Sequence, residues 1–136
     1  MRPSRLKDAV NRIIEGANPL IAINEFLDEF YLSTERQGMI DAEPGFTGVA
    51  WQDAYIGAIG EHLARRWGLV VPTWTDDPRW FLLDRPYFVD NLQLMKPVLL
   101  RDSPIAFRRC LIFTEAEPLR RARFPKAEAN TRVRKP

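Results

Sequence analysis

The clearest structural signal in this chain is the stretch WQDAYIGAIGEHLARRW, residues 51–67. Its apolar and aromatic side chains recur every three or four residues, which places them on one face of a helix. They are Trp51, Ala54, Tyr55, Ala58, Ile59, His62, Leu63 and Trp67. The spacing predicts a long central helix that Gly68 ends. Because Gly57 and Gly60 weaken this helix by up to about 1 kcal/mol each relative to alanine, we expect them to let a neighbouring segment approach closely.

Two further helices are predicted before the central one. Apolar residues from Leu6 onward have helical spacing, with Ser4 as the N-terminal cap and Gly16 as the stop. Asn18 followed by Pro19 is typical of a cap and a first helical residue, and an apolar stripe continues from there. Since the link between the two helices is short, the pattern predicts a helical hairpin.

A short third helix is predicted between the hairpin and the central helix. Thr34 with Gln37 has the spacing of a capping box, in which each side chain bonds a backbone N–H of the same helical turn. The turn residues Pro44 and Gly45 then end the segment.

After Val70 the chain is divided into short pieces by prolines at positions 72, 78, 86, 97, 104 and 118. Short helices are expected after Asp77 with Pro78, after Ser103 with Pro104, and after Asn91. Cys110 to Phe113 fits either a short strand or an extended packing segment, which four residues are too few to distinguish.

These patterns together predict an all-α, mainly helical fold with an N-terminal helical hairpin, a long central helix and short proline-broken helices. At 136 residues the chain has the length of one ordinary domain. We expect a single helical domain over residues 1–125 and a disordered basic tail over 126–136. The tail ends a region from Pro118 that carries seven basic residues and one acidic residue, whereas the preceding residues are net acidic.

Composition restricts where the protein works. Hydrophobic residues make up 46% of the chain and charged residues 28%, a balance typical of soluble globular proteins. No apolar run approaches the roughly 20 residues that cross a bilayer, and the N-terminus lacks the apolar block of a signal peptide. Cys110 is the only cysteine, so one chain can form neither an internal disulfide nor a cysteine-based zinc site. We expect a cytoplasmic protein that does not contact membranes.

Candidate catalytic groups are few. The sequence has no phosphate-binding glycine loop, nucleophile elbow or H-E-x-x-H motif. His62 lies on the apolar stripe of the central helix, which favours a structural role over a functional one. Four aspartates could suggest a magnesium or acid–base cluster: Asp76, Asp77, Asp84 and Asp90. At least two of them stand beside prolines or at segment starts, which favours helix capping instead. We therefore predict no catalytic residue, no metal and no cofactor.

Several segments resemble a largely uncharacterised bacterial family that is common in actinobacteria. They are INEFLDEFY, PGFTG, DAYIGAIGEHLARRWGL, VPTWTDDPRWFLLDRPYF and SPIAFRRCLIF, and the similarity covers roughly Phe26 to Arg121. Members occur as the C-terminal part of helix-turn-helix proteins or as free-standing proteins beside toxin–antitoxin-type genes. The resemblance implies an all-helical, antitoxin-like domain that binds a partner protein, and it identifies no catalytic residue. Since the hairpin begins near Leu6, we expect no preceding DNA-binding helix-turn-helix.

Three functional hypotheses follow. The first is a non-catalytic, antitoxin-like regulatory module that binds a partner protein, such as a toxin, from an adjacent gene, with Trp74, Trp80, Arg108 and Arg109 as exposed contacts. The alternative is a nucleic-acid-binding accessory protein that uses Arg120, Arg121, Arg123 and Lys126 in the basic C-terminal region. The third is an enzyme that combines His62 with a carboxylate. The sequence leaves the identity of the partner and the oligomeric state open.

Overall fold

The fold is mainly helical, as predicted, and the computed structural model describes residues 2–88, 96–114 and 117–122, with the backbone alone for 96–98. Its helices are α1 (Leu6–Ile14), α2 (Pro19–Leu32), α3 (Arg36–Asp41), α4 (Ala50–Arg66), α5 (Lys96–Asp102) and α6 (Ile105–Arg109). Two 3₁₀ turns, Thr73–Asp76 and Pro78–Trp80, follow α4. Strands β1 (Tyr87–Phe88) and β2 (Ile112–Phe113) pair in parallel. The predicted Asn91 cap and the tail over 126–136 lie outside the described residues.

The N-terminal hairpin is present, with one of its two caps as predicted. The Asn18 side-chain oxygen accepts hydrogen bonds from the backbone N–H groups of Leu20, at 3.0 Å, and Ile21, at 3.2 Å. The Ser4 cap is wrong, because extended Arg5 precedes the first helical residue. The Ser4 hydroxyl instead lies 3.4 Å from the Asp8 carboxylate. The helix therefore begins one residue later than a Ser4 cap predicts.

The third helix forms, but the predicted capping box does not. Glu35 precedes the helix, and no side chain caps its N-terminus. The Gln37 amide instead bonds the N–H and the C=O of Val70, at 2.8 and 2.9 Å, and donates to Asp41. Gln37 thus ties α3 to the chain that leaves α4, a long-range role that the local pattern did not indicate.

The central helix α4 is approached closely at both of its glycines, as the sequence predicted. A Cβ atom added at Gly57 would lie 2.7 Å from the Cβ of Trp80, and one added at Gly60 would lie 2.5 Å from the ring of Trp74. Neither distance leaves room for a methyl group, so the bare backbone of α4 is the surface on which the two indole rings pack.

The proline-broken second half packs on α4 through its 3₁₀ turns and α6. The Asp77 cap is confirmed, since its carboxylate accepts from the N–H of Arg79 at 2.9 Å. The short helix predicted after Ser103 and Pro104 is confirmed as α6, although Ser103 does not cap it: its buried hydroxyl lies within hydrogen-bonding distance of the Leu99 carbonyl and of the N–H and C=O of Thr114. Ser103 therefore joins the end of α5 to the residue after β2, and the chain from Cys110 to Phe113 contains a strand.

One apolar core connects the two halves of the chain. It includes fully buried residues of every helix from α1 to α4 and of α6, together with Ile112 of β2 and Leu119. The Tyr31 hydroxyl donates to the carbonyl oxygen of Leu119 at 2.8 Å, which fastens the C-terminal segment to α2. Among the described residues, no helix has both the length and the apolar character needed to cross a bilayer.

Candidate protein-binding surface

The two tryptophans expected to contact a partner are buried. Trp80 is 0% exposed and Trp74 is 7% exposed. Their indole N–H groups are also satisfied internally, by the carbonyls of Trp74 at 2.8 Å and of Ile40 at 2.9 Å. The prediction that these side chains are exposed is wrong, because both rings pack on the two glycines of α4. The sequence pattern indicated the packing sites but not which rings fill them.

Arg109, another predicted contact, belongs to an internal charge cluster. The Glu61 carboxylate is 2% exposed and accepts from Arg109 and from Arg65, each at 2.7 Å. Arg109 also donates to Asp76 at 3.2 Å, and its guanidinium lies 5.1 Å from the Phe81 ring centroid. Because a buried carboxylate is stable only when it is paired, Arg109 mainly holds α6 and the first 3₁₀ turn against α4. This role of Glu61 was not predicted, although its spacing of four from Arg65 is a signal for an ion pair.

His62 and Cys110 lie in surroundings that suppress their reactive forms. The His62 ring packs edge-on against Phe107 with centroids 5.3 Å apart, and burial lowers its pKa to about 4. Burial likewise raises the pKa of the Cys110 thiol to about 12. Near neutral pH the imidazole is therefore uncharged and the thiol is protonated, which suits the structural interpretation of His62.

The aspartates proposed as a cluster are separated by their roles. Asp76 bonds Arg109 and Asp77 caps the second 3₁₀ turn, whereas Asp90 lies outside the described residues. In the parts of the chain that the structure describes, no three side chains of His, Cys, Asp or Glu are grouped so as to hold a metal ion.

The basic C-terminal residues are only partly described. Arg121 forms a two-pronged ion pair with the Asp28 carboxylate of α2, at 2.9 and 3.0 Å. Arg120 is exposed, and Arg123 and Lys126 lie outside the described residues. One of the four predicted nucleic-acid contacts is therefore already bound to a carboxylate of the protein itself.

Arg108 is the predicted contact that remains on the surface. Its Nε donates to the Ser103 carbonyl at 2.8 Å, and one terminal nitrogen donates to the Arg101 carbonyl at 3.3 Å. The guanidinium is thereby fixed across the turn between α5 and α6. Both acceptors are neutral backbone groups, and within the described residues Arg108 forms no ion pair.

Exposed aliphatic side chains lie on the two helices that Arg108 connects. Ile105 is 60% exposed and lies one helical turn before Arg108 on α6, while Leu100 is 47% exposed beside Arg101 at the end of α5. The opposite side of α6, Ala106 and Phe107, is buried against the rest of the fold. We call Leu100, Arg101, Ile105 and Arg108 the α5–α6 surface.

Comparison of the chain with protein-family models, with curated proteins and with solved structures found no match. The resemblance inferred from the sequence motifs therefore remains a prediction, and the functional argument rests on the geometry of the chain itself.

Proposed function

We propose that the protein is a cytoplasmic, non-catalytic, antitoxin-like regulatory module that binds the product of an adjacent gene through the α5–α6 surface. One observation carries this proposal: the backbone holds Arg108 in a fixed orientation across the turn between two helices that each expose an aliphatic side chain. Arginine is among the side chains enriched where protein interfaces derive most of their binding energy, and the exposed aliphatic side chains add apolar area that a partner can cover.

The fixed orientation of Arg108 favours binding in a specific way. A free arginine side chain loses rotamer entropy when a partner immobilises it, at a cost of about 0.5–1.5 kcal/mol. Arg108 already bonds Ser103 and Arg101 before a partner arrives, so much of that cost is met within the fold. The fitting partner carries a carboxylate for Arg108 beside apolar side chains that cover Leu100 and Ile105.

The test is co-expression of the tagged protein with the product of each flanking gene, followed by size-exclusion chromatography with light scattering. We expect one stoichiometric complex, which Ile105→Glu weakens at least tenfold. The matched control is Val70→Glu, since Val70 is 75% exposed, follows α4 and is not part of the α5–α6 surface. Absence of any complex, or equal binding by the wild type and both variants, contradicts the proposal.

The nucleic-acid alternative is measured in the same preparation with a duplex DNA. Binding through the tail predicts an affinity that falls steeply with salt and is lost when the chain is cut after Phe124. The ion pair of Arg121 with Asp28 removes one basic side chain from that role, so we place this alternative second.

A further inference from the structure

The turn between α5 and α6 contains a buried hydroxyl that joins separate parts of the chain. Ser103 is 1% exposed, and its Oγ accepts from the N–H of Thr114 at 2.8 Å. The hydroxyl hydrogen can be donated to one of two carbonyl oxygens, that of Leu99 in α5 or that of Thr114 at 3.0 Å. Thr114 follows β2 and is 2% exposed, so loss of these bonds would leave buried polar groups unsatisfied. The Ser103 hydroxyl therefore fixes the turn to the chain after β2.

The same residue holds Arg108 through its main chain. The Ser103 carbonyl oxygen accepts from Nε of Arg108 at 2.8 Å, and the Arg101 carbonyl oxygen accepts from Nη2 at 3.3 Å. Both acceptors lie at the end of α5 or directly after it, whereas Arg108 is a residue of α6. The orientation of the guanidinium therefore depends on how the end of α5 meets α6, which is the geometry that the buried Ser103 hydroxyl fixes.

The two backbone bonds occupy one particular edge of the Arg108 guanidinium. An arginine has five N–H donors in a planar fork, and it can bind a carboxylate along its Nε–Nη2 edge or across its two terminal nitrogens, Nη1 and Nη2. Arg5 uses the Nε–Nη2 edge for the carboxylate of Asp8. Arg108 uses the same edge for backbone carbonyls, and its side chain is exposed. The edge formed by Nη1 and Nη2 is therefore the one left for a partner.

We propose that Ser103 is the positioning residue of the α5–α6 surface: its buried hydroxyl holds the turn in the geometry in which Arg108 presents Nη1 and Nη2 to a partner carboxylate. The inference rests on the proposed function for the existence of that partner, whereas the positioning of Arg108 belongs to the free protein. A carboxylate bound across the two terminal nitrogens forms two parallel N–H···O bonds and leaves the bonds to Ser103 and Arg101 in place. The partner group is thus an aspartate or glutamate that approaches Arg108 end-on.

The positioning is tested by NMR in the free, full-length ¹⁵N-labelled protein, through the Nε–H signal of Arg108, which is assigned by its loss in Arg108→Lys. We expect this N–H to exchange with solvent about fivefold faster or more in Ser103→Ala, which removes the hydroxyl, than in the wild type. Thr75→Val is the matched control, because Thr75 is 1% exposed and its hydroxyl donates to the Pro72 carbonyl at 2.8 Å. This variant also loses a buried hydroxyl, yet it should keep the wild-type exchange rate of Arg108.

Two outcomes of this measurement overturn the positioning role. One is an unchanged exchange rate in folded Ser103→Ala, and the other is an equal acceleration in Thr75→Val, which would show a general effect of lost stability. If Ser103→Ala does not fold, Ser103→Cys replaces the hydroxyl with a thiol, which is a weaker donor and acceptor. The exchange of the Arg108 Nε–H should then be about twofold faster or more, and a wild-type rate overturns the role in the same way.

The end-on contact is tested in the complex with the flanking-gene product. Binding should slow the rotation of the terminal N–H₂ groups of Arg108, while its Nε–H signal keeps the position it has in the free protein. Ser103→Ala should weaken the complex about two- to tenfold, because the partner must then immobilise Arg108 itself. A displaced Nε–H signal, or full affinity in Ser103→Ala, overturns the proposal. Absence of any complex overturns the proposed function and the end-on contact with it, whereas the exchange measurement still decides the positioning of Arg108.

Discussion

The packing of Trp80 on the bare backbone of Gly57 can be tested with a single methyl group. In Gly57→Ala the new Cβ would lie 2.7 Å from the Cβ of Trp80, about 0.7 Å inside the 3.4 Å at which ordinary contact begins. The obstructing atom adjoins the Trp80 backbone, and the side chain is fully buried, so rotation of the indole cannot relieve the clash. The second 3₁₀ turn must move away from α4.

Two opposing effects set the magnitude. Alanine in place of a mid-helix glycine stabilises a helix by up to about 1 kcal/mol, whereas overpacking a buried contact destabilises by about 1–3 kcal/mol. We expect a net loss of about 1–2 kcal/mol. The measurement is urea unfolding followed by tryptophan fluorescence and circular dichroism, with the thermal midpoint falling by roughly 4 °C per kcal/mol.

Gly38→Ala is the matched control, because Gly38 is also helical and has open space where its Cβ would point. This variant should be as stable as the wild type or more stable by up to about 1 kcal/mol. If Gly57→Ala is stabilised to the same extent as Gly38→Ala, then Trp80 does not rest on Gly57 and the account of how the second half attaches to α4 is wrong.

Three other predictions concern buried polar groups. Burial lowers the pKa of His62 from its ordinary value of 6.5 to about 4. Between these pH values the histidine is protonated in the unfolded chain but not in the folded chain, so the free energy of unfolding should fall by about 3 kcal/mol from pH 6.5 to pH 4. His62→Gln should flatten that part of the pH profile, and an unchanged profile contradicts the pKa assignment. Arg109→Met should destabilise by about 1.5–2 kcal/mol, because it removes one of the two cations that bond the buried Glu61 carboxylate and leaves Arg65 as its partner. The double variant Glu61→Met with Arg109→Met should recover most of this loss in denaturant unfolding, and additive losses count against the pairing. Cys110, which is 2% exposed, should react with a thiol reagent only as fast as the protein opens; complete modification of the folded protein within seconds refutes its burial.

Local signals in the sequence were reliable where the partner is the neighbouring backbone. Asn18 before Pro19 has little to bond except the N–H groups of the next turn, and Asp77 before Pro78 behaves in the same way. Ser4 and Ser103 have equally suitable local patterns, yet their hydroxyls lie beside a carboxylate and beside Thr114. Contacts with other parts of the fold decide between such alternatives, and these contacts cannot be read from a single sequence.

The contacts of individual side chains were harder to predict than the helices for the same reason. Periodicity identified Gly57 and Gly60 as places of close approach, but it could not say that Trp80 and Trp74 fill them. Asp53 was missed as well: it accepts from the N–H groups of Thr47 and Gly48 and so fixes the loop before α4. Arg108 and Arg109 are adjacent in sequence, and only the fold shows that one is fixed on the surface and the other is bound to a buried carboxylate.

The Asp28 carboxylate forms ion pairs with two arginines, one near each end of the described chain. Arg2 reaches one oxygen at 3.4 Å and Arg121 pairs with both. Residues near both ends of the described part of the chain therefore lie next to α2, a geometry that favours circular permutation. A linker that joins the chain near Arg2 to the chain near Arg121 would therefore begin and end beside the same helix.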